Sequence, residues 1–145
     1  LIRKHDLSQV VQCHPYIPQK ELLEIQQKVD VLVLLRWDDP SENGVIAGKL
    51  FEYIGAARPI LAVGSTTGEA ADIIRDTDFG YVSNDVEEIA TYLKDMLDKK
   101  QKGEEIAPIN PNREKFTRAG QFEKLIPFME KIITDWQQSK NRNYF

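Results

Sequence analysis

Two short, unbroken apolar runs constrain this chain most: Val31–Leu35, and Ile60–Val63 directly after Pro59. Each is too short for a helix and stops abruptly, the first at Arg36 and the second at Gly64. A strand without polar alternation meets water on neither face, so both runs belong inside a sheet that is covered above and below. Around them lie segments with helical spacing: Gln19–Lys28 behind Pro18, a segment opening at Gly48, and Thr67–Arg75. A longer segment after Asp85 carries Val86, Ile89, Ala90, Leu93 and Leu97 on one face, with Asp85 as its N-cap. Val10–His14 and Gly80–Ser83 read as further strands. This alternation of strand and helix predicts an α/β fold, a Rossmann-like parallel sheet with helices on both faces.

Residues 1–145 are one domain's worth of chain, and 41% hydrophobic with 29% charged residues suits a single compact core. The net charge of -4 and the scatter of Lys and Arg argue against a nucleic-acid-binding face, so no nucleic acid is expected as a partner. No apolar run approaches the ~20 residues a membrane span needs, although peripheral membrane contact stays open. A single cysteine, Cys13, excludes an internal disulfide, and two histidines with one cysteine offer no metal-ligand spacing. No metal and no cofactor are expected, and a cytoplasmic location is compatible with this composition.

Two stretches punctuate the alternation. Arg36–Ala47, with Asp38-Asp39-Pro40-Ser41-Glu42-Asn43-Gly44 inside it, reads as a long polar loop, which in a compact domain is usually either functional or disordered. Lys99–Pro111 reads as a linker. Beyond it, residues 112–145 form a C-terminal helical segment in which Phe122, Leu125, Ile126, Met129, Ile132, Ile133 and Trp136 make a broad apolar stripe. Pro127 should kink that helix. The stripe either packs on the local sheet or faces another domain.

One carboxylate stands out. In Gly48-Lys49-Leu50-Phe51-Glu52-Tyr53-Ile54-Gly55-Ala56-Ala57-Arg58-Pro59-Ile60-Leu61-Ala62, Glu52 is set among apolar residues just before a buried-type strand. Leu50, Phe51 and Ile54 give the helix its apolar face, and Gly55, Ala56 and Ala57 let its end lie close to the sheet. A helix opening on Gly44 and Gly48 has unpaired N–H groups that favour an anion. Glu52 lies one turn further in. It is either a solvated helix residue or a ligand to hydroxyl groups.

The run resembles the signature K-[LF]-[FL]-E-[YA]-x-[AG]-x-[GAR]-x-P-[IV]-[LV]-A of the C-terminal domain of group 1 (family 4) glycosyltransferases of the GT-B type. The resemblance extends from about Val10 to the last helix and is densest over 48–80. It implies the C-terminal half of a GT-B fold, which binds a nucleoside-diphosphate sugar, and a retaining enzyme that passes the sugar to an acceptor glycan or lipid, as in polysaccharide biosynthesis. Glu52 would grip the ribose. His14-Pro15-Tyr16-Ile17-Pro18 corresponds to the loop that contacts the base, with Tyr16 and Ile17 as the candidate contacts; Tyr16 would stack on the base or else pack in the core. Pro15 replaces the usual glycine there and has no N–H to donate. Gly68-Glu69-Ala70-Ala71-Asp72-Ile73-Ile74 matches the family's G-E-x-x-x-[IL]-[IVL] helix, where Glu69 favours the helix dipole.

Other parts of the family pattern are altered. In E-x7-E the first Glu faces the donor sugar, and eight residues before Glu52 stands Gly44. Either Glu42 takes that place through a longer loop or main chain alone meets the sugar. Lys49 is the candidate near the signature for neutralising phosphate, since the family's Arg and Lys for that task lie in an upstream segment. The resemblance therefore implies that an upstream strand and helix, and a whole N-terminal domain of the same protein, precede this chain, which alone should not turn over. Which residues are catalytic is not readable. A GT-B-type sugar-nucleotide epimerase and a non-catalytic α/β interaction module are the alternatives.

Overall fold

The computed structural model describes residues 1–107 and 110–142, and the side chains of all of these except Glu42, Asn141 and Arg142. Helix α1 (Gln19–Gln26) begins at Pro18 and leads into strand β1 (Leu32–Leu35). A polar loop containing a 3-10 turn, Pro40–Glu42, leads to α2 (Gly48–Ala56), followed by β2 (Ile60–Val63), α3 (Glu69–Asp76) and β3 (Gly80–Ser83). Then come α4 (Val86–Gln101), a 3-10 segment Pro111–Phe116 and α5 (Arg118–Arg142).

The three strands form one parallel sheet in the order β1-β2-β3. Leu34, Ala62 and Val82 stand in register on one face, beside Ile60 in the neighbouring row. Leu50 and Ile54 of α2 and Ala70, Ala71 and Ile74 of α3 close over them as the core. Two crossovers in the same direction put both helices on that face, as right-handed connections require. The sheet then reverses its wrapping. Tyr81, in register with Leu61 and Val33, belongs to the other face, and Tyr92 of α4 stacks on it at 5.0 Å. Helices on both faces of a parallel sheet make the chain α/β, with a Rossmann-like arrangement.

Asp85 caps α4 as its sequence foretells, its side chain accepting from the N–H groups of Glu87 and Glu88. At the other end of α2 the chain turns through Ala57 in the left-handed conformation, φ 56°. A Cβ there costs about 1 kcal/mol, which Gly at this position would avoid.

Several expectations change. Val10–His14 is not a strand: it follows a turn over residues 8–10, and Val10 is 77% exposed. An extended segment is stable as a strand only with a neighbour to bond, and none of the three strands pairs with it. Strand β1 is buried on one face, not two, because it is the edge strand and α4 lies over β3; Val33 is 48% and Leu35 78% exposed. Leu93 and Leu97 of α4 are likewise half exposed, so its apolar stripe is only partly used. Pro127 lies inside α5, which continues through it. The end of the 112–145 segment, residues 143–145, lies outside the described residues, as do positions 108 and 109 of the expected linker.

Burial, and secondarily the carboxylate of Glu52, raises the Tyr53 phenol above its ordinary range; burial and then Asp78 do the same for Tyr92. The fold therefore favours the neutral phenols. Their contribution is intact below the unfolded tyrosine value of about 10 and is lost as pH rises above it. Denaturant midpoints at about pH 8 and about pH 11 should show a decline on the alkaline side that Tyr53→Phe and Tyr92→Phe lessen. An unchanged decline in both variants would contradict this assignment.

Candidate functional site

In a parallel sheet every loop that leaves a strand emerges at the same edge. Residues 36–47 after β1, 64–68 after β2 and 84–85 after β3 therefore meet at the carboxyl ends of the strands, where open α/β sheets bind ligands. Helices α2 and α3 start at that edge. So does α1, since its carboxyl end feeds the start of β1.

A hydrogen-bonded network joins these loops. Arg36, the first residue past β1, donates from Nη1 to the carbonyls of Ser65 at 2.7 Å and Thr67 at 3.1 Å. Ser65 Oγ and Thr67 Oγ1 both donate to Asn43 Oδ1 at 3.2 Å. The Glu69 N–H donates to the Asn43 carbonyl at 3.1 Å, and Asn84 Nδ2 to Asp38 Oδ2 at 3.1 Å. Two glycines make this contact fit. A Cβ on Gly64, φ 118°, would lie 2.0 Å from the Arg36 carbonyl, and one on Gly68, φ 89°, would lie 2.4 Å from that of Asn43. In the same loop Asp39 accepts from the Ser41 N–H at 2.9 Å, and this bond chiefly holds its carboxyl below the usual range.

The sequence candidates are distributed around this edge. Gly48 is the first residue of α2 and Lys49 the second, both exposed, with open space beside Gly48. Glu52 is half-buried on the flank of α2 that Leu50 and Ile54 leave free, and its carboxylate has no hydrogen-bond partner among the described residues. Helical geometry turns it about 200° from Leu50, so a ligand must reach it over the outer side of the first turns. Tyr16 and Ile17 precede α1 at the same edge. Tyr16 is 89% exposed and so is not a core residue. The side chain of Glu42 lies outside the described residues.

Sequence reasoning passed over Arg36, Ser65, Thr67 and Arg75, whose Nη1 donates to the Thr66 carbonyl at 2.7 Å. Gly64-Ser65-Thr66-Thr67-Gly68, between a strand and a helix, was the available signal for Ser65 and Thr67. The arginines had none, because their partners are main-chain carbonyls of distant residues.

Two cavities lie away from this edge. One of about 620 Å³ sits at the amino ends of the strands, where Arg58 and Arg113 bond the carbonyls that end α1 and α2. Another of about 340 Å³ runs along α4 beside Tyr81, Tyr92 and Glu88. Among the described residues no three His, Cys, Asp or Glu side chains are grouped to hold a metal ion, and no helix is long and apolar enough to cross a membrane. The carboxyl edge offers hydrogen-bond donors, a free carboxylate and flanking cations, which is binding chemistry rather than a nucleophile with its base. No family model, no curated protein and no solved structure matches this chain.

Proposed function

We propose that this chain is the donor-nucleotide half of a glycosyltransferase, binding a nucleoside-diphosphate sugar whose sugar passes to an acceptor glycan or lipid. The observation that carries the proposal is Glu52: a half-buried carboxylate without a partner among the described residues, on a helix that begins at the carboxyl edge of a parallel sheet. A ribose diol offers two donors to such a group, and each charge-assisted bond contributes about 1.5 to 3 kcal/mol. Tyr16, exposed at the same edge, supplies a face on which a base can stack.

Transfer needs a second domain across the edge to bring donor and acceptor together. Bare apolar surface is what such a partner would cover. From Gln121 to Lys140 every residue of α5 is exposed, with Ile132, Ile133 and Trp136 each more than half so, and the outer face of β1 is open as well. This supports an N-terminal domain of the same protein as the covering partner.

Calorimetric titration of the chain tests the binding half of the proposal. A nucleoside diphosphate should bind at least about tenfold more tightly than inorganic phosphate, the difference arising from ribose and base. Equal, or equally absent, binding of the two would contradict it.

A further inference from the structure

Two lengths of backbone in this chain have no hydrogen-bond partners among the described residues, and the topology sets them one helix apart. The first is the outer edge of β1. The N–H groups of Leu32 and Arg36 go to the carbonyls of Pro59 and Val63, at either end of β2. Alternate residues of a parallel strand turn their peptide groups to opposite neighbours, so Val33 and Leu35 present theirs at the outer edge, where no strand pairs. Their side chains are exposed as well. The second length is residues 12–17, whose main chain makes no hydrogen bond among the described residues and of which all but Ile17 are exposed.

Both lengths are suited to pairing. No Asp, Glu, Lys or Arg lies between Leu7 and Pro18 or between Val31 and Leu35, although charges on an open edge are what ordinarily keep other strands away. Pro15 and Pro18 bias His14 and Ile17, the residues before them, toward extended backbone. Helix α1 supplies the connection, with residues 15–18 before it and 27–31 after it as loops of the length common in α/β units. It packs against α2, which is where a right-handed crossover from a strand beyond β1 puts a helix. Leu22 and Leu23 of α1 are only half-buried and Ile25 is 40% exposed, so a strand passing beneath α1 meets apolar side chains to cover.

We propose that residues 11–14 are a strap that closes on the outer edge of β1 as a fourth parallel strand, the structure showing it open. Closing gives the peptide groups of Val33 and Leu35 their partners and fixes Tyr16 and Ile17, which follow the strap, on the β1 side of the carboxyl edge. The proposal goes beyond the donor-binding reading and stands whether or not a nucleotide binds.

Amide hydrogen exchange and NMR on the whole chain test it. Val33 and Leu35 amides should exchange at least about tenfold more slowly than unpaired exposed amides, and residues 11–14 should show cross-strand contacts to 33–35, at the ~4.8 Å spacing of neighbouring strands. Gln12→Pro and Cys13→Pro each remove an N–H that bonds nothing in the open form, so the three-stranded fold should survive both. The N–H groups of these adjacent residues face opposite sides of a strand, so the substitution at the one facing β1 should abolish the protection of Val33 and Leu35 while Leu61 and Ala62 stay protected. Exchange of Val33 and Leu35 at the unpaired rate, or protection that survives both substitutions, would overturn the strap. Protection that grows with protein concentration would overturn it too, because the edge would then be taken by a second copy. Should either variant fail to fold, the cross-strand contacts of the parent chain decide by their presence or absence.

Discussion

On the proposed donor-binding role, replacing Glu52 by Gln in the full-length protein should lower kcat/KM for the sugar nucleotide roughly 10- to 150-fold, a loss of about 1.5 to 3 kcal/mol. An ionised carboxylate has only acceptors and can take both hydroxyls of a ribose, whereas an amide has one acceptor oxygen and an NH2 that repels a second donor. Stability should hardly change, because Glu52 bonds no described residue and lies off the Leu50 and Ile54 side of α2. Thermal unfolding measured beside the donor kinetics separates a folding defect from lost recognition. Unaltered kcat/KM would remove the ribose assignment.

Leu50→Ala should destabilise the fold by about 2 to 5 kcal/mol. Leu50 has 0% exposure and stands where α2 meets the sheet, beside Ile54, Ile60 and Ala62, so truncation leaves a cavity that the short helix can close only by moving. In a protein of this size each kcal/mol is worth roughly 2 to 4 °C in Tm, and the midpoint should fall by several degrees or more. Phe128→Ala on α5, where the ring is 61% exposed, is the companion control and should stay within about 0.5 kcal/mol. A small effect at Leu50 would mean that α2 is not anchored as described. The position of every group on that helix, Glu52 included, would then be in doubt.

What could be read from the chain, and what could not, divides on the range of the interactions involved. Strand β2 and the helix before it were legible because Pro59, Gly64 and the Leu50, Ile54 spacing are local signals that agree with one another. The cap at Asp85 is local as well. Val10–His14 had the composition of a strand but no partner in the three-stranded sheet, and pairing is a tertiary event that composition does not report. The unbroken apolar run of β1 predicts burial on both faces, while its outer side is bare because β1 is the sheet's edge. Edge or centre depends on strand order, which no single run encodes.

The candidate site divides in the same way. The start of α2 with Gly48, Lys49 and Glu52 was visible as a motif, and its placement at the carboxyl edge follows from a parallel sheet once that sheet is granted. Arg36 and Arg75 were not visible. Their bonds go to Ser65, Thr66 and Thr67 carbonyls, which exist at every residue and leave no mark in the sequence. Gly64 marks the end of an apolar run and Gly68 the start of a helix motif, although their φ values and their close approach to Arg36 and Asn43 make them the reason two loops can touch.

The proposed contact between Glu52 and ribose is tested most directly by a cycle that removes each partner in turn. Binding of a nucleoside diphosphate and of its 2′,3′-dideoxy counterpart is measured by calorimetry on the parent chain and on Glu52→Gln. Loss of the two hydroxyls should weaken binding to the parent by about tenfold or more and change binding to Glu52→Gln far less, because the variant no longer has the acceptor they used. Equal losses in both proteins, or none in the parent, would contradict the assignment of Glu52 as the residue that holds the donor's ribose.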